Sequence, residues 1–413
     1  MLENNVLEHL AHLRETLLGL SKIDSVTPPS DTREIVRFVA EQLRGLNNVD
    51  FKIYSEKAPI ENIVAHVKGN GPGKHLMLNG HLDTFEVVQK ENWKHDPFGG
   101  EVENGRLYGV GVSDMKAGCA SLLETFILLA EHPDKWCGEV TLMLVGGEEA
   151  GGRYGTQYLL QSHPEWQKVD TCLIADVGSS RVIRYGEKGR YRFKMMAHGI
   201  PGHGAHMHKT KNAIDLLIDA IVDYRETVKK LPMHCDPALI ERIKEAGIVS
   251  ETVAGKGETD TLLNVTSNIG VFRAGSAPNL VPGYAEVIID SRLPIGVDPE
   301  DVESVLKEIC ERHPDITFER MMTCESLYSD PDHPFLKILK DNAEKVFKAP
   351  CATTIRVGGT DGKHVRRYGV PTFSCGVEGG NMGAPDEYVD FQELEQCFEI
   401  HARSCFEYLK NTM

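Results

Sequence analysis

The sequence predicts an α/β protein whose main sheet is interrupted by a smaller α+β insertion, and three observations lead there. Short, wholly apolar runs alternate with helix-patterned stretches through the first part of the chain. Strands buried on both faces look like this. After about Glu187 the order becomes strand, helix, strand, strand, helix, strand, a split-βαβ arrangement. From Pro334 the first pattern resumes. The expected organisation is one α/β domain built from residues 1–186 and 323–413, with 187–322 inserted.

Leu7, Leu10, Leu13, Leu17 and Leu18 share one face of an opening amphipathic helix. Pro28-Pro29 breaks the chain, and Ser30 or Asp31 is placed to cap a second helix through Leu43. The runs Asn62 to Val67, Leu76 to Asn79, Thr141 to Val145 and Cys172 to Asp176 read as strands; Lys116 to Glu131 and Tyr154 to Ser162 read as helices. The insertion offers a strand from Tyr191 to Ala197 and a helix from Asn212 to Lys229. Two strands follow, near Val265 to Phe272 and Tyr284 to Arg292, then a helix from Pro299 to Arg312 capped by Asp298, and a strand near Ile316 to Arg320. A helix from Pro334 to Phe347, a strand near Pro371 to Cys375 and a helix from Phe391 to Leu409 complete the chain.

With 41% hydrophobic and 26% charged residues, 413 residues suffice for sizeable cores. The net charge of −16 argues against nucleic acid and anionic membranes as partners. The ten cysteines include no Cys-x-x-Cys pair, so a thiolate zinc site is not expected. They read as reduced residues of a cytoplasmic protein. The opening residues lack a basic start followed by an apolar run, so no signal peptide is expected. No apolar stretch approaches the ~18 residues a membrane span needs.

The chemistry gathers at strand ends. Leu142 to Val145 runs through Gly146-Gly147 into Glu148-Glu149, two adjacent carboxylates with no neighbouring cation. A divalent metal would compensate them, one acid binding the ion and the other handling the proton of a water. Leu76 to Gly80 leads into His81-Leu82-Asp83, where the two-residue spacing lets Asp83 orient the imidazole. Asp114 precedes the helix of small residues, and Asp176 ends another apolar run. Each acid taken singly reads as a turn or helix cap. Together they fall where ligands collect in open α/β sheets.

These residues resemble a known family. Gly80-His81-Leu82-Asp83, Trp93 with Asp96-Pro97-Phe98, Asp114-Met115-Lys116, Gly147-Glu148-Glu149, Asp176, Gly358-Gly359-Thr360-Asp361 and Pro385-Asp386-Glu387-Tyr388 are ordered as in acetylornithine deacetylase, succinyl-diaminopimelate desuccinylase, aminoacylase and carboxypeptidase G. The resemblance implies a metallopeptidase-like catalytic domain, with helices on both faces of a mixed sheet and an inserted dimerisation or lid domain. It implies a two-metal amidohydrolase, in which His81 and Asp176 look like ligands of one metal, Glu149 of the other, and Asp114 the bridge. Glu148 looks like the general base. His203 takes the position of a histidine that reaches the partner subunit's site to stabilise an oxyanion, although with His198, His206 and His208 it also forms a run able to hold adventitious metal. Asn279 and Arg292 resemble substrate-carboxylate contacts, with Thr360 a weaker substrate-side candidate.

Zinc is the first choice of metal, with manganese or cobalt also suited to these donors. The pattern breaks at Gly383, where the family carries its last histidine ligand. A second metal site is therefore expected to be weak, absent or rebuilt, with Glu378, Asn381 and His364 as substitutes. Val110 also replaces a frequent arginine. The leading expectation is a cytoplasmic, homodimeric, metal-dependent hydrolase of a C–N bond in a small amide or peptide. A hydrolytic deaminase acting on a non-peptide substrate, or a non-catalytic metal-binding relative, are the alternatives.

Overall fold

The larger sheet is laid down by alternation within its strands. In His75–His81, Leu76 and Leu78 turn to one core and Met77 to the other. In Glu139–Val145, Val140, Leu142 and Leu144 join the first, and Met143 and Val145 the second. Both faces are thus buried, as in covered parallel sheets. The computed structural model describes residues 2–410. Its nine-stranded sheet runs Val49–Tyr54, Asn62–Lys68, Glu139–Val145, His75–His81, Thr171–Ile174, Thr372–Ser374, Val182–Glu187, Leu327–Tyr328, with Ala352–Arg356 also paired to Val182–Glu187. His75–His81 lies parallel to Glu139–Val145 and Thr171–Ile174, and Thr372–Ser374 is parallel to Thr171–Ile174. Four neighbouring strands therefore end on one edge, the edge where open α/β sheets place their sites.

Helices cover both faces. Leu2–Ser21, Ala117–Glu131 and Phe391–Lys410 pack over the larger core, and Thr156–Ser162 supplies Leu159 and Leu160 to the other. Gly118 lets the start of Ala117–Glu131 press against the strand end before Asp176; a Cβ there would stand 2.0 Å from the Ala175 carbonyl oxygen.

The second, four-stranded sheet is antiparallel throughout, in the order Thr266–Ala274, Tyr284–Leu293, Gly189–His198, Ile316–Cys324. Tyr191, Phe193, Met195 and Ala197 alternate onto one face with Ala285, Val287 and Ile289. Helices Ala213–Val228 and Pro299–Arg312 cover that face. Asn212 caps the first helix, and Asp298 with Asp301 forms a capping box on the second.

Three features depart from the sequence reading. Leu7 is 64% exposed, while Leu13 and Leu17 are buried, Leu10 and Leu18 pack against the same core, and Leu20 joins them. The second helix, Arg33–Leu43, starts after Thr32, whose side chain makes no cap bond; Asp31 accepts the first helical N–H, that of Arg33, at 3.3 Å, and also pairs with the Arg33 guanidinium. Two further helices, Pro237–Ala254 and Glu258–Leu263, stand between helix Ala213–Val228 and strand Thr266–Ala274. They send Leu239, Ile243 and Leu262 into the larger core, so residues 187–322 feed both cores. No helix among the described residues is long and apolar enough to cross a membrane, and all ten cysteines are unpaired.

Candidate active site

The ends of the parallel strands assemble the site. His81 closes its strand. After Val145 the chain turns through Gly147, whose φ of +81° suits glycine, and presents Glu148 and Glu149. Asp176 follows Thr171–Ile174, and Asp114 sits in the tight turn Val112–Lys116 that enters helix Ala117–Glu131. His81, Asp114 and Glu149 each offer a ligand atom, all within 4.8 Å of one another. His81 Nε2 lies 3.2 Å from Asp114 Oδ1. Glu149 Oε1 is buried without a hydrogen-bond partner among the described residues. A buried oxygen with nothing to bind, beside a second carboxylate and an imidazole, fits a divalent cation of the zinc, manganese or cobalt kind.

Asp83 supports this cluster in a different way from the sequence reading. The His81 ring is held through Nδ1 by the Asp83 carbonyl oxygen at 2.9 Å, while the nearest carboxylate oxygen lies 3.8 Å away. The carboxylate instead accepts the backbone N–H groups of Glu148 (3.1 Å) and Glu149 (3.2 Å) and the Thr27 hydroxyl (2.7 Å). It therefore sets the conformation of the turn that presents both glutamates. Glu387 does the same for Asp114. One of its oxygens accepts from the Ser113 N–H, the Ser113 hydroxyl and the Asp114 N–H at 2.9, 2.7 and 3.2 Å, and the other from the Gly111 N–H at 3.1 Å.

Crowded acids govern the electrostatics. Burial, and then the charge of Asp361, push the Glu148 carboxyl up to about 8, against the pull of His81 and Lys363. Lys363 Nζ stands 3.7 Å from Glu148 Oε1. Burial pushes Glu149 up to about 10 against the pull of His81, with Asp114 and Glu148 adding to the rise. Asp361, bonded by the Thr156 hydroxyl at 2.8 Å, is raised by burial to about 6 against Lys363. Burial alone would lower the His81 imidazole, but its bond to Asp114 and the surrounding carboxylates carry it well above its ordinary value. These groups share the protons and charge that a cation would otherwise balance.

Asp176 falls outside the trio whose ligand atoms lie within 4.8 Å of one another, although the charges of Asp114 and His81 act on it. Its carboxylate is paired with the buried Arg356 guanidinium at 3.2 Å, which opposes the upward push of burial. Gly383 lies in the left-handed region (φ +66°), and, chain neighbours aside, a Cβ built there meets only Phe85 within 4 Å among the described residues. Of the substitutes, His364 donates from Nε2 to the Gly151 carbonyl, Asn381 donates to the carbonyls of Pro385 and Asp386, and the Glu378 N–H donates to Glu393.

The remaining candidates make their own contacts outside the three-residue cluster. His203 is exposed on the two-residue strand Gly202–His203, and its Nδ1 accepts from the Ala205 N–H. Asn279 is also exposed and contacts the same loop, its carbonyl accepting from the Gly204 N–H at 2.8 Å. Arg292 is paired with Asp290 at 2.8 Å, alongside Arg190 and Arg192. Thr360 is fully buried; its N–H donates to Glu187 and its hydroxyl accepts from the Gly362 N–H, so its contacts are structural.

Sequence reasoning assigned no role to Arg356, Lys363, Asp361 or Glu387, although Asp361 and Glu387 lie in motifs it quoted. Their partners are far away in the chain, and the usable signal was a second set of charged residues following glycine-rich turns.

Comparison with known proteins places nearly the whole chain in one family. The family described as Peptidase family M20/M25/M40 matches residues 77–407. A succinyl-diaminopimelate desuccinylase of Sulfurovum sp. (strain NBC37-1) is 25% identical over 393 residues, covering 94% of this chain and 96% of the relative. The structure of an M20 family metallo-carboxypeptidase from Sulfolobus solfataricus superposes with a TM-score of 0.77 at 18% identity, over 95% of this chain and 98% of that one. A dinuclear metal-binding M20 peptidase from Bacillus subtilis superposes with a TM-score of 0.66 at 15% identity, over 98% and 99% of the two chains. This chain belongs to the M20/M25/M40 peptidase family and is a metal-dependent hydrolase.

Proposed function

We propose that the chain hydrolyses the amide bond of a small substrate bearing a carboxylate, an N-acyl amino acid or short peptide, with Glu148 as general base. The observation that carries this is the half-buried Glu148 beside the His81–Asp114–Glu149 cluster. A divalent ion held there, zinc by preference, would polarise the amide carbonyl and acidify a water. Glu148 would take a proton from the attacking water and pass it to the leaving amine nitrogen. Its carboxyl near 8 belongs to the cation-free site; a neighbouring cation would lower it into the range of a working base. The names of the relatives support an amide substrate. The pairing of Arg292 with Asp290 beside Arg190 and Arg192 supports a cationic anchor for the substrate carboxylate.

A single ion is favoured. Gly383 offers no ligand, and Asp176 is already paired with Arg356. Arg356 would then supply the fixed positive charge that a second ion supplies elsewhere. A homodimer through the insertion is supported by His203, which is exposed and needs a partner's cleft to touch substrate, and by Ile218 and Val222, exposed on helix Ala213–Val228. Ten unpaired thiols support a cytoplasmic location. The decisive experiment is Glu148→Gln. Turnover of N-acyl amino acids should fall by about 10²–10⁴, with bound metal unchanged; wild-type turnover in that variant would reject the assignment.

A further inference from the structure

A second group of ligand-type side chains lies at the opposite end of the strands that carry the active site. His66, His75 and Glu139 sit on three adjacent strands, Asn62–Lys68, His75–His81 and Glu139–Val145. Alternation turns all three onto the face that carries Val64, Met77 and Met143. Register sets His75 opposite Glu139 and His66 opposite Thr141. We propose that His66, His75 and Glu139 form a metal site of their own, separate from the active site, which takes a divalent transition ion of the zinc class.

Ligand atoms from the three residues lie within 4.8 Å of one another. A tetrahedral ion holding ligands at about 2.0–2.2 Å needs donors roughly 3.4 Å apart, so modest ring rotations would close the set. His66 Nε2 already lies 2.9 Å from Glu139 Oε2. Lys68 engages the other oxygen, Oε1, at 3.4 Å and leaves Oε2 for an ion. An ordinary His–Glu pair would account for those two residues, but it does not require His75. That ring stands 5.9 Å from His66, with the Thr141 hydroxyl 2.8 Å from its Nε2. Ligating imidazoles are commonly steadied by such an outer hydrogen bond. Two imidazoles and one carboxylate, with a coordination position left open, is a zinc donor set. The same side chains line a groove of about 440 Å³ with Tyr54 and Trp166, which gives an ion a path of entry. His75 and His81 are the first and last residues of one strand, so the two centres are roughly 20 Å apart and share no ligand.

The test uses the full-length holoenzyme with its catalytic metal in place, dialysed against zinc and measured for metal per chain. Wild type should take up one more equivalent than His66→Gln, His75→Gln or Glu139→Gln, and in these variants the affinity for that equivalent should fall at least about tenfold. The variants should keep wild-type turnover and unfold at the wild-type temperature in zinc-free buffer. Equal zinc uptake by wild type and by the folded variants would overturn the site, as would failure of wild type to bind the extra equivalent.

Discussion

Replacing Glu387 with glutamine isolates the part of the site that positions Asp114. The buried carboxylate accepts four donors, three on one oxygen and the Gly111 N–H on the other. Glutamine has a single acceptor oxygen. Its least costly placement keeps that oxygen on Ser113 and Asp114 and turns the NH₂ toward the Gly111 N–H. One buried donor then loses its acceptor, which costs about 1–3 kcal/mol. Three bonds change from a charged to a neutral acceptor and weaken by roughly 1 kcal/mol each. Relief from burying a charge, which raises the Glu387 carboxyl above its ordinary value, returns part of the sum. The net expectation is about 2–4 kcal/mol of lost stability in urea unfolding of the metal-free protein. Because the Asp114 turn loosens, metal affinity should also drop by about 10–100-fold, the usual effect of losing an outer partner. A Glu387→Gln protein with unchanged urea midpoint and metal affinity within twofold of wild type would refute the positioning role.

Gly383→His should raise bound metal toward two ions per chain by elemental analysis, since the backbone there is left-handed, a region histidine enters more readily than most residues; unchanged stoichiometry would show that the second site is blocked for another reason, with Arg356 the first suspect. The chelated protein should lose stability as pH rises. Glu149, Glu148 and Asp361 hold their protons to about 10, 8 and 6 in the folded state and only to ordinary carboxylate values when unfolded. Their contribution is complete below about pH 4 and declines as pH climbs through the folded values, by up to ~1.4 kcal/mol per pH unit for each group. His81, raised above its unfolded value, acts in the same direction. Thermal unfolding of chelated protein from pH 5 to 9 should show this decline, and saturating zinc should abolish it; a flat or rising profile without metal contradicts the account.

The part of the site legible in the sequence was the part written locally. His81, Glu148, Glu149 and Asp176 each end an apolar run, and buried parallel strands deliver their ends to one edge whatever the helices do. Asp114 stood before a recognisable helix. Arg356 and Glu387 were not legible, because their roles exist only once Arg356 meets Asp176 and Glu387 meets the Gly111–Asp114 turn. For Asp83, position was read correctly but the bonding atom was not: its carbonyl steadies His81 and its carboxylate the glutamate turn. The helix Pro237–Ala254 had a readable start, Asp236 as cap with Pro237 behind it, but an amphipathic pattern does not say which of two cores it will join.

That helix pair changes what the smaller sheet is able to do. Arg184 meets Glu258 in a buried pair, and Lys188 donates to the carbonyls of Thr261 and Asn264, so the entry strand is bound to helix Glu258–Leu263. The insertion is stitched to its host midway along its length as well as where the chain enters and leaves. The two cores are thereby joined through side chains as well as through the backbone.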